Sequence, residues 1–147
     1  MRVCGVELSA NDAIICLLTL EDEIFDIPDC RVRKLSYDKL NNQESIKTFQ
    51  FAFSKLMTDY KIETVVIRER PMKGKFSGGA IGFKLEAAIQ LLEGVKVQLI
   101  APADIKALIK RNPVPVSFSD TGLKVFQEPA FASAYGYLMQ QTYGTEA

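Results

Sequence analysis

Residues 2–20, RVCGVELSANDAIICLLTL, decide the fold of this chain of 147 residues. The segment holds two apolar runs, Arg2 to Leu8 and Asp12 to Leu20, joined by the short polar turn Ser9-Ala10-Asn11. Apolar, β-branched runs on either side of a tight turn predict an antiparallel hairpin.

The first strand ends on an acid that lies on its apolar side. Because side chains alternate along a strand, Glu7 shares a face with Val3 and Gly5. The later run Glu63 to Glu69 repeats the pattern, and Glu69 shares a face with Ile67. An ionised carboxylate taken out of water without a partner costs roughly several kcal/mol. The two acids therefore predict a metal ion, a cationic partner or a bound proton.

The rest of the chain alternates between helical and extended patterns. A weak run near Arg31 to Leu35, after the acidic stretch 21–29, predicts an edge strand. Helical spacing and capping residues, and the buried runs between them, predict the following elements: helix Glu44 to Tyr60 capped by Asn41 or Asn42, strand Ile62 to Glu69, helix Ala80 to Leu92, strand Val95 to Ala101, helix Ala103 to Arg111 after Pro102, and a last helix from Glu128-Pro129. The order β, β, β, α, β, α, β, α, α predicts an α/β fold, with a mixed five-stranded sheet and helices on both faces. We expect one domain over residues 1–147.

Composition excludes several classes of function. Hydrophobic residues make up 48% and charged residues 24%, as in globular proteins. The longest apolar run, Ala13 to Leu18, is too short to cross a bilayer, and the opening residues have no signal-peptide pattern, so we expect a cytoplasmic protein without a membrane partner. The chain has no histidine, which excludes Ser-His-Asp, Cys-His and HExxH chemistry. Its three cysteines lack metal-ligand spacing and are expected to be buried apolar residues.

Charge is unevenly distributed although the formal net charge is zero. Residues 68–111 carry nine basic against four acidic side chains, an excess of five. A basic segment near carboxylates suits a phosphate-bearing partner, and an ordinary solvated basic surface is the alternative interpretation.

Several blocks carry a family resemblance. These are Val3-Cys4-Gly5-Val6-Glu7, Val65-Val66-Ile67-Arg68-Glu69, Gly79-Ala80-Ile81-Gly82-Phe83-Lys84-Leu85-Glu86, Val97-Gln98-Leu99-Ile100-Ala101-Pro102-Ala103-Asp104-Ile105-Lys106 and Glu128-Pro129-Ala130-Phe131-Ala132. In this order they resemble RuvC-type Holliday junction resolvases, which have a ribonuclease H-like fold. The chain resembles still more closely a small bacterial family of RuvC-like domains of uncharacterised function.

The resemblance implies hydrolysis of phosphodiester bonds in structured DNA or RNA with two Mg²⁺ ions, or Mn²⁺ in their place. Carried over by position, it implies Glu7, Glu69 and Glu128 as metal ligands and catalytic residues, with Lys106 assisting phosphate binding. The basic segment supplies the expected nucleic-acid contacts: Arg70, Lys73, Lys75, Lys84 and Lys110. A homodimer that addresses two strands is also implied, and Phe51 could mark its surface.

Two positions depart from the family pattern. Glu7 is one methylene longer than the usual aspartate, and Mg²⁺ geometry tolerates little displacement. Phe131 stands where a second acid of the last helix is expected, and Asp120 could replace it only if its loop folded back. These departures favour an alternative, a RuvC-like domain that has lost catalysis and binds nucleic acid or a protein partner.

Each proposed site residue also has a structural interpretation. Glu128 suits a helix N-terminus, Glu69 could form a salt bridge, and Glu7 could be solvated in the turn. Lys106 and Lys110 could form the exposed face of one helix. The loop from Lys73 to Gly79 lacks the GxxxxGK[ST] and GxGxxG patterns, which favours a mobile loop over a phosphate cradle.

Overall fold

A computed structural model describes residues 1–75 and 78–144 of the chain. Its elements run in the order β1 (Arg2–Ser9), β2 (Asp12–Glu21), β3 (Ile24–Asp26), β4 (Lys34–Ser36), α1 (Gln43–Asp59), β5 (Thr64–Arg68), α2 (Ala80–Gln90), β6 (Lys96–Ile100), α3 (Pro102–Arg111) and α4 (Glu128–Tyr143). Two short 3₁₀ turns, Phe118–Thr121 and Val125–Gln127, precede α4. None of the helices in these ranges is long and apolar enough to span a membrane.

The sheet is mixed, in the order β3-β2-β1-β5-β6, with β4 also paired to β2. Strands β1 and β2 form the predicted antiparallel hairpin, with Gly5 opposite Cys16. Strand β5 runs parallel to β1, pairing Val6 with Ile67, and β6 runs parallel to β5. The carboxyl ends of β1, β5 and β6 therefore meet at one edge of the sheet.

Helices cover both faces, which confirms the predicted fold class. On one face, α1 and α2 bury Phe53 and Leu85 against Cys4 and Ile67. On the other face, α3 and α4 enclose a second core that includes Val66, which is fully buried. Helix α1 begins after Asn42, whose side chain accepts a hydrogen bond from the Ser45 backbone N–H, as the capping pattern predicted.

The outer edge differs from the prediction, because two short strands share the place of one. Strand β4 corresponds to the predicted edge strand, whereas β3 lies within the stretch that we expected to be an acidic connection. Its Phe25 ring packs edge-on against Tyr135, with centroids 5.5 Å apart, and against Phe131 at 6.2 Å. Aromatic burial at one position thus holds the acidic segment against the sheet.

Candidate functional site

Glu7 lies half-buried near the end of β1, on the face covered by α4. Gly5, which shares this face with Glu7, packs closely against α4: a Cβ at Gly5 would lie 2.0 Å from the carbonyl oxygen of Ala130. The β1–β5 register, continued by one residue, sets Glu7 beside Arg68. Burial raises the pKa of the Glu7 carboxyl, while Arg68 and then Arg70 act in the opposite direction. The charged neighbours of Glu7 are therefore arginines.

A first cleft lies on the same face of the sheet, between the first turns of α3 and α4. We call it the α3/α4 cleft, and it is lined by Arg68, Pro102, Ile105, Lys106, Ile109, Glu128, Pro129 and Ala132. Glu128 is the first residue of α4, as predicted, and its side chain is exposed. The Gln127 side chain anchors this turn, because its amide donates to the carbonyl of Ile15 at 2.8 Å. The structure thus brings Glu128 and Lys106 together beside Arg68.

A second cleft, the α2 cleft, opens on the opposite face, beyond the end of β5. It is lined by Glu69, Arg70, Pro71, Met72, Lys73, Phe83, Glu86 and Leu99. Glu69 follows β5 directly, and its backbone N–H donates to the carbonyl of Ile100. Its side chain is exposed, whereas Glu86 of α2 is partly buried. Burial raises the pKa of Glu86, Arg70 lowers it, and Glu69 raises it further.

Arg70 lines the α2 cleft, with its guanidinium turned toward α2. Its Cζ lies 4.8 Å from the centroid of the Phe83 ring. Burial lowers the pKa of Arg70, and Glu86 followed by Glu7 opposes that shift. Arg70 therefore links Glu7 electrostatically to an acid of α2.

The remaining predicted nucleic-acid contacts are spread more widely. Lys73 lines the α2 cleft, and Lys75 is exposed just before the undescribed residues 76 and 77. Lys84 of α2 donates at 2.8 Å to Oδ1 of Asn41, which lies just before α1, and Lys110 is exposed in the last turn of α3. The predicted loop 73–79 includes Phe76 and Ser77, which lie outside the described residues, so its mobility stays a prediction.

The predicted metal ligands lie in separate surroundings. Glu7 faces α4, Glu69 lines the α2 cleft, and Glu128 lines the α3/α4 cleft. Within residues 1–75 and 78–144, no three acidic, cysteine or histidine side chains gather closely enough to hold a metal ion. In this arrangement the donor set does not fit a two-metal centre.

The helix residues next to this site resolve two further predictions. Phe131 is only 3% exposed, and its ring lies among Phe25, Phe118 and Tyr135, so it is a core residue. Asp120 accepts a hydrogen bond from Ser117 in a groove beside β3, which is a different part of the surface. Asp120 thus does not replace the absent helix acid.

Glu86 is not among the site residues predicted from the sequence. Its signal was present in the spacing of α2, because Gly82, Phe83 and Glu86 lie three and four residues apart and so share one face of the helix. Glu86 therefore lies on the face of α2 whose Gly82 and Phe83 contact Arg70.

The architecture is the ribonuclease H-like fold in the arrangement that RuvC has. RuvC from Thermus thermophilus superposes with a TM-score of 0.75 at 12% identity, over 99% of this chain and 98% of that one. The same organism's RuvC in complex with a Holliday junction substrate gives 0.71 at 12% identity, over 99% and 97%. The fowlpox virus Holliday junction resolvase gives 0.53 at 11% identity, over 96% and 99%.

Residues 1–137 match the model of the family described as "Protein of unknown function (DUF3010)", and the chain belongs to that family. No curated protein matches the sequence.

Proposed function

We propose that this protein binds the phosphate backbone of structured, branched DNA at the carboxyl end of β5. The observation that carries the proposal is the position of Arg68, Lys106 and Lys73, which line two clefts on either side of that strand end. None of the three forms a salt bridge within the described ranges. Cations that converge on clefts without protein carboxylates bound to them are suited to backbone phosphates.

The fold supports the choice of a branched substrate. The T. thermophilus structure with a Holliday junction shares its fold with this chain over nearly the whole length. Arg68 and Lys106 lie in one cleft and Lys73 in the other, so a bound junction would contact both sides of the strand end. A homodimer, with the 70% exposed Phe51 on its surface, remains a prediction that light scattering tests.

Binding is tested by fluorescence anisotropy with a four-way junction, a matched duplex and a single strand, each over a range of salt concentrations. We expect the junction to bind most tightly, with affinity that falls steeply as salt increases. Lys106→Ala and Lys73→Ala should each weaken binding to all substrates and reduce the salt slope by about 1. Lys55→Ala, on the exposed surface of α1, is the matched control and should change neither quantity. Absence of junction binding even at low salt would contradict the proposal.

A second candidate function is Mg²⁺-dependent cleavage of the bound junction. The observation that favours it is the common edge of the acids, since Glu7 lies near the end of β1, Glu69 follows β5, and Glu128 begins the helix packed on β1. Glu7, Glu69 and Glu128 do not form a metal-binding group in this structure, so this candidate requires the three carboxylates to move together when DNA binds. Carboxylate oxygens are the ligands that Mg²⁺ prefers.

Cleavage is tested with end-labelled junctions, single strands and RNA–DNA hybrids in the presence of Mg²⁺ or Mn²⁺. The candidate predicts products that disappear in Glu7→Gln and Glu69→Gln, while junction binding is retained. If the native protein binds the junction but yields no cleavage products, binding without cleavage remains its proposed function. Products that persist in both variants would rule out these carboxylates as the catalytic groups.

A further inference from the structure

A groove outside both clefts runs along β3, at the outer edge of the sheet. We call it the β3 groove, and its volume is about 490 Å³. One wall is formed by residues 23–27, and the other by Pro115, Val116, Asp120 and Thr121. Strand β3 ends the strand order and pairs only with β2 among the described residues. The groove therefore lies beside an open strand edge.

The backbone of Phe25 points away from the sheet at this edge. The Leu20 N–H donates to the Met1 carbonyl at 2.9 Å, and the Leu20 carbonyl accepts from the Met1 amine at 3.0 Å. Both backbone groups of Leu20 therefore face β1. Phe25 is the β3 partner of Leu20, so its own N–H and carbonyl point outward, away from β2. Within residues 1–75 and 78–144, neither group has a hydrogen-bond partner. An open edge of this kind is where an extended peptide adds as a further strand.

The charges along the β3 groove are all negative. Glu23, Asp26 and Asp120 are exposed, and none of them forms a salt bridge with a described residue. No lysine or arginine is among the described residues that line the groove. These carboxylates repel the phosphate backbone of a nucleic acid. They also oppose pairing of β3 with a second copy of itself, because acids would then face acids across the two strands. The charge therefore favours a basic partner.

Apolar side chains lie beside these acids. Ile24, the first residue of β3, is 71% exposed, and Val116 on the opposite wall is 44% exposed. Charged residues on an edge strand commonly serve to prevent pairing. That role alone does not explain an exposed isoleucine next to Glu23, because an apolar side chain on an edge promotes pairing. The groove thus combines a free backbone edge, negative charge and apolar contacts.

We propose that β3 binds an extended peptide segment of another protein, in which basic and apolar residues alternate. The segment pairs with the Phe25 backbone and continues the sheet by one strand. Its basic side chains lie beside the three carboxylates of the groove, and its apolar side chains cover Ile24 and Val116. This surface is separate from the clefts at the carboxyl end of β5, so the proposal goes beyond junction binding and does not depend on it.

Fluorescence anisotropy with short labelled peptides tests the proposal on the full chain. The probe is a synthetic peptide of alternating lysine and valine. Its two controls are a peptide of alternating glutamate and valine, and the lysine–valine peptide with its central amides N-methylated. We expect the probe to bind about tenfold or more tightly than either control, because one control reverses the charge and the other removes the backbone donors. Equal affinity for the probe and either control would overturn the proposal.

Charge reversal in the protein tests where the peptide binds. Glu23→Lys combined with Asp26→Lys changes two exposed side chains and should weaken binding of the probe by about tenfold or more. Glu93→Lys is the matched control, because Glu93 is an exposed acid between α2 and β6, and it should leave the affinity nearly unchanged. A double variant that is folded by circular dichroism and binds the probe as the native protein does would overturn the proposal.

Hydrogen exchange at the Phe25 amide, followed by NMR, reports the backbone pairing directly. The Phe25 N–H should exchange rapidly in the free protein and slowly when the probe is bound. Exchange that the probe does not slow would overturn the proposal. Protection that increases with protein concentration alone would also overturn it, and would assign the edge to a second copy of the chain. Lys73→Ala and Lys106→Ala should retain the affinity for the probe, so this outcome is distinct from that of the junction-binding assay.

Discussion

Gly5→Ala tests how closely α4 lies against the sheet. Gly5 is in the middle of β1, paired with Cys16 on one side and Val66 on the other. The added Cβ would lie 2.0 Å from the carbonyl oxygen of Ala130. Carbon–oxygen contacts are about 3.3 Å at their closest, so α4 and β1 would have to separate by about 1.3 Å. The blocking atom belongs to the backbone and cannot rotate away.

Two effects of opposite sign determine how much Gly5→Ala should change the free energy of unfolding. Alanine in place of glycine within a strand is favourable by about 0.5 to 1 kcal/mol, because the unfolded chain loses freedom. Overpacking a core costs about 1 to 3 kcal/mol, and the upper value applies here because a whole helix must shift. We therefore expect the free energy of unfolding to fall by about 2 kcal/mol.

Urea unfolding followed by circular dichroism measures this change, with Gly136→Ala as a control on the same helix. A Cβ at Gly136 would lie 3.6 Å from the nearest atoms of Ile105, an ordinary contact. Helix propensity should then stabilise Gly136→Ala by up to about 1 kcal/mol. The two glycine-to-alanine changes thus have opposite expected signs. A Gly5→Ala protein as stable as the native one, with an unchanged m-value, would refute the close packing of α4 on β1.

Three other perturbations test the core around the site. Cys4 and Cys16 are fully or almost fully buried, and burial raises the pKa of Cys16 to about 12. At pH 8 we therefore expect Ellman's reagent to modify Cys30 rapidly and the other two thiols only in denaturant. Rapid reaction of all three thiols in the native state would contradict this prediction. Gln127→Ala removes a buried amide that bonds a strand carbonyl, and it should lower the free energy of unfolding by about 1 to 3 kcal/mol in urea titrations. Phe131→Asp restores an acid to the last helix but should cost at least about 3 kcal/mol, seen as a lower melting temperature, with no gain in cleavage.

The helices were predictable because local signals agreed with burial. In α1, Phe49, Phe53 and Met57 recur every four residues, and all three are buried. Strand β3 was not predictable in this way, since its charged neighbours indicate a loop. Phe25 joins the sheet through rings that come from α4, more than a hundred residues later. A short strand held by a distant contact leaves no periodic pattern in its own sequence.

The relative positions of Glu7 and Glu69 also could not be predicted from local sequence patterns. Alternation within each strand correctly set Glu7 on the face of Val3, because β1 is a regular strand. Alternation cannot tell which residues of two different strands lie side by side, because that depends on register. The structure pairs Cys4 with Val65, and counting along both strands sets Leu8, and not Glu7, beside Glu69.

A shift of one residue in the β1–β5 register would therefore place Glu7 beside Glu69 instead of Arg68. In a parallel pair of strands, directly opposed side chains point to the same face, so Glu7 shares its face with Arg68 while Glu69 emerges toward α2. Arg70 then follows Glu69 into the space left by Gly78 and Gly82. The register thus places the half-buried Glu7 beside Arg68, whose positive charge opposes the effect of burial on the pKa of the Glu7 carboxyl.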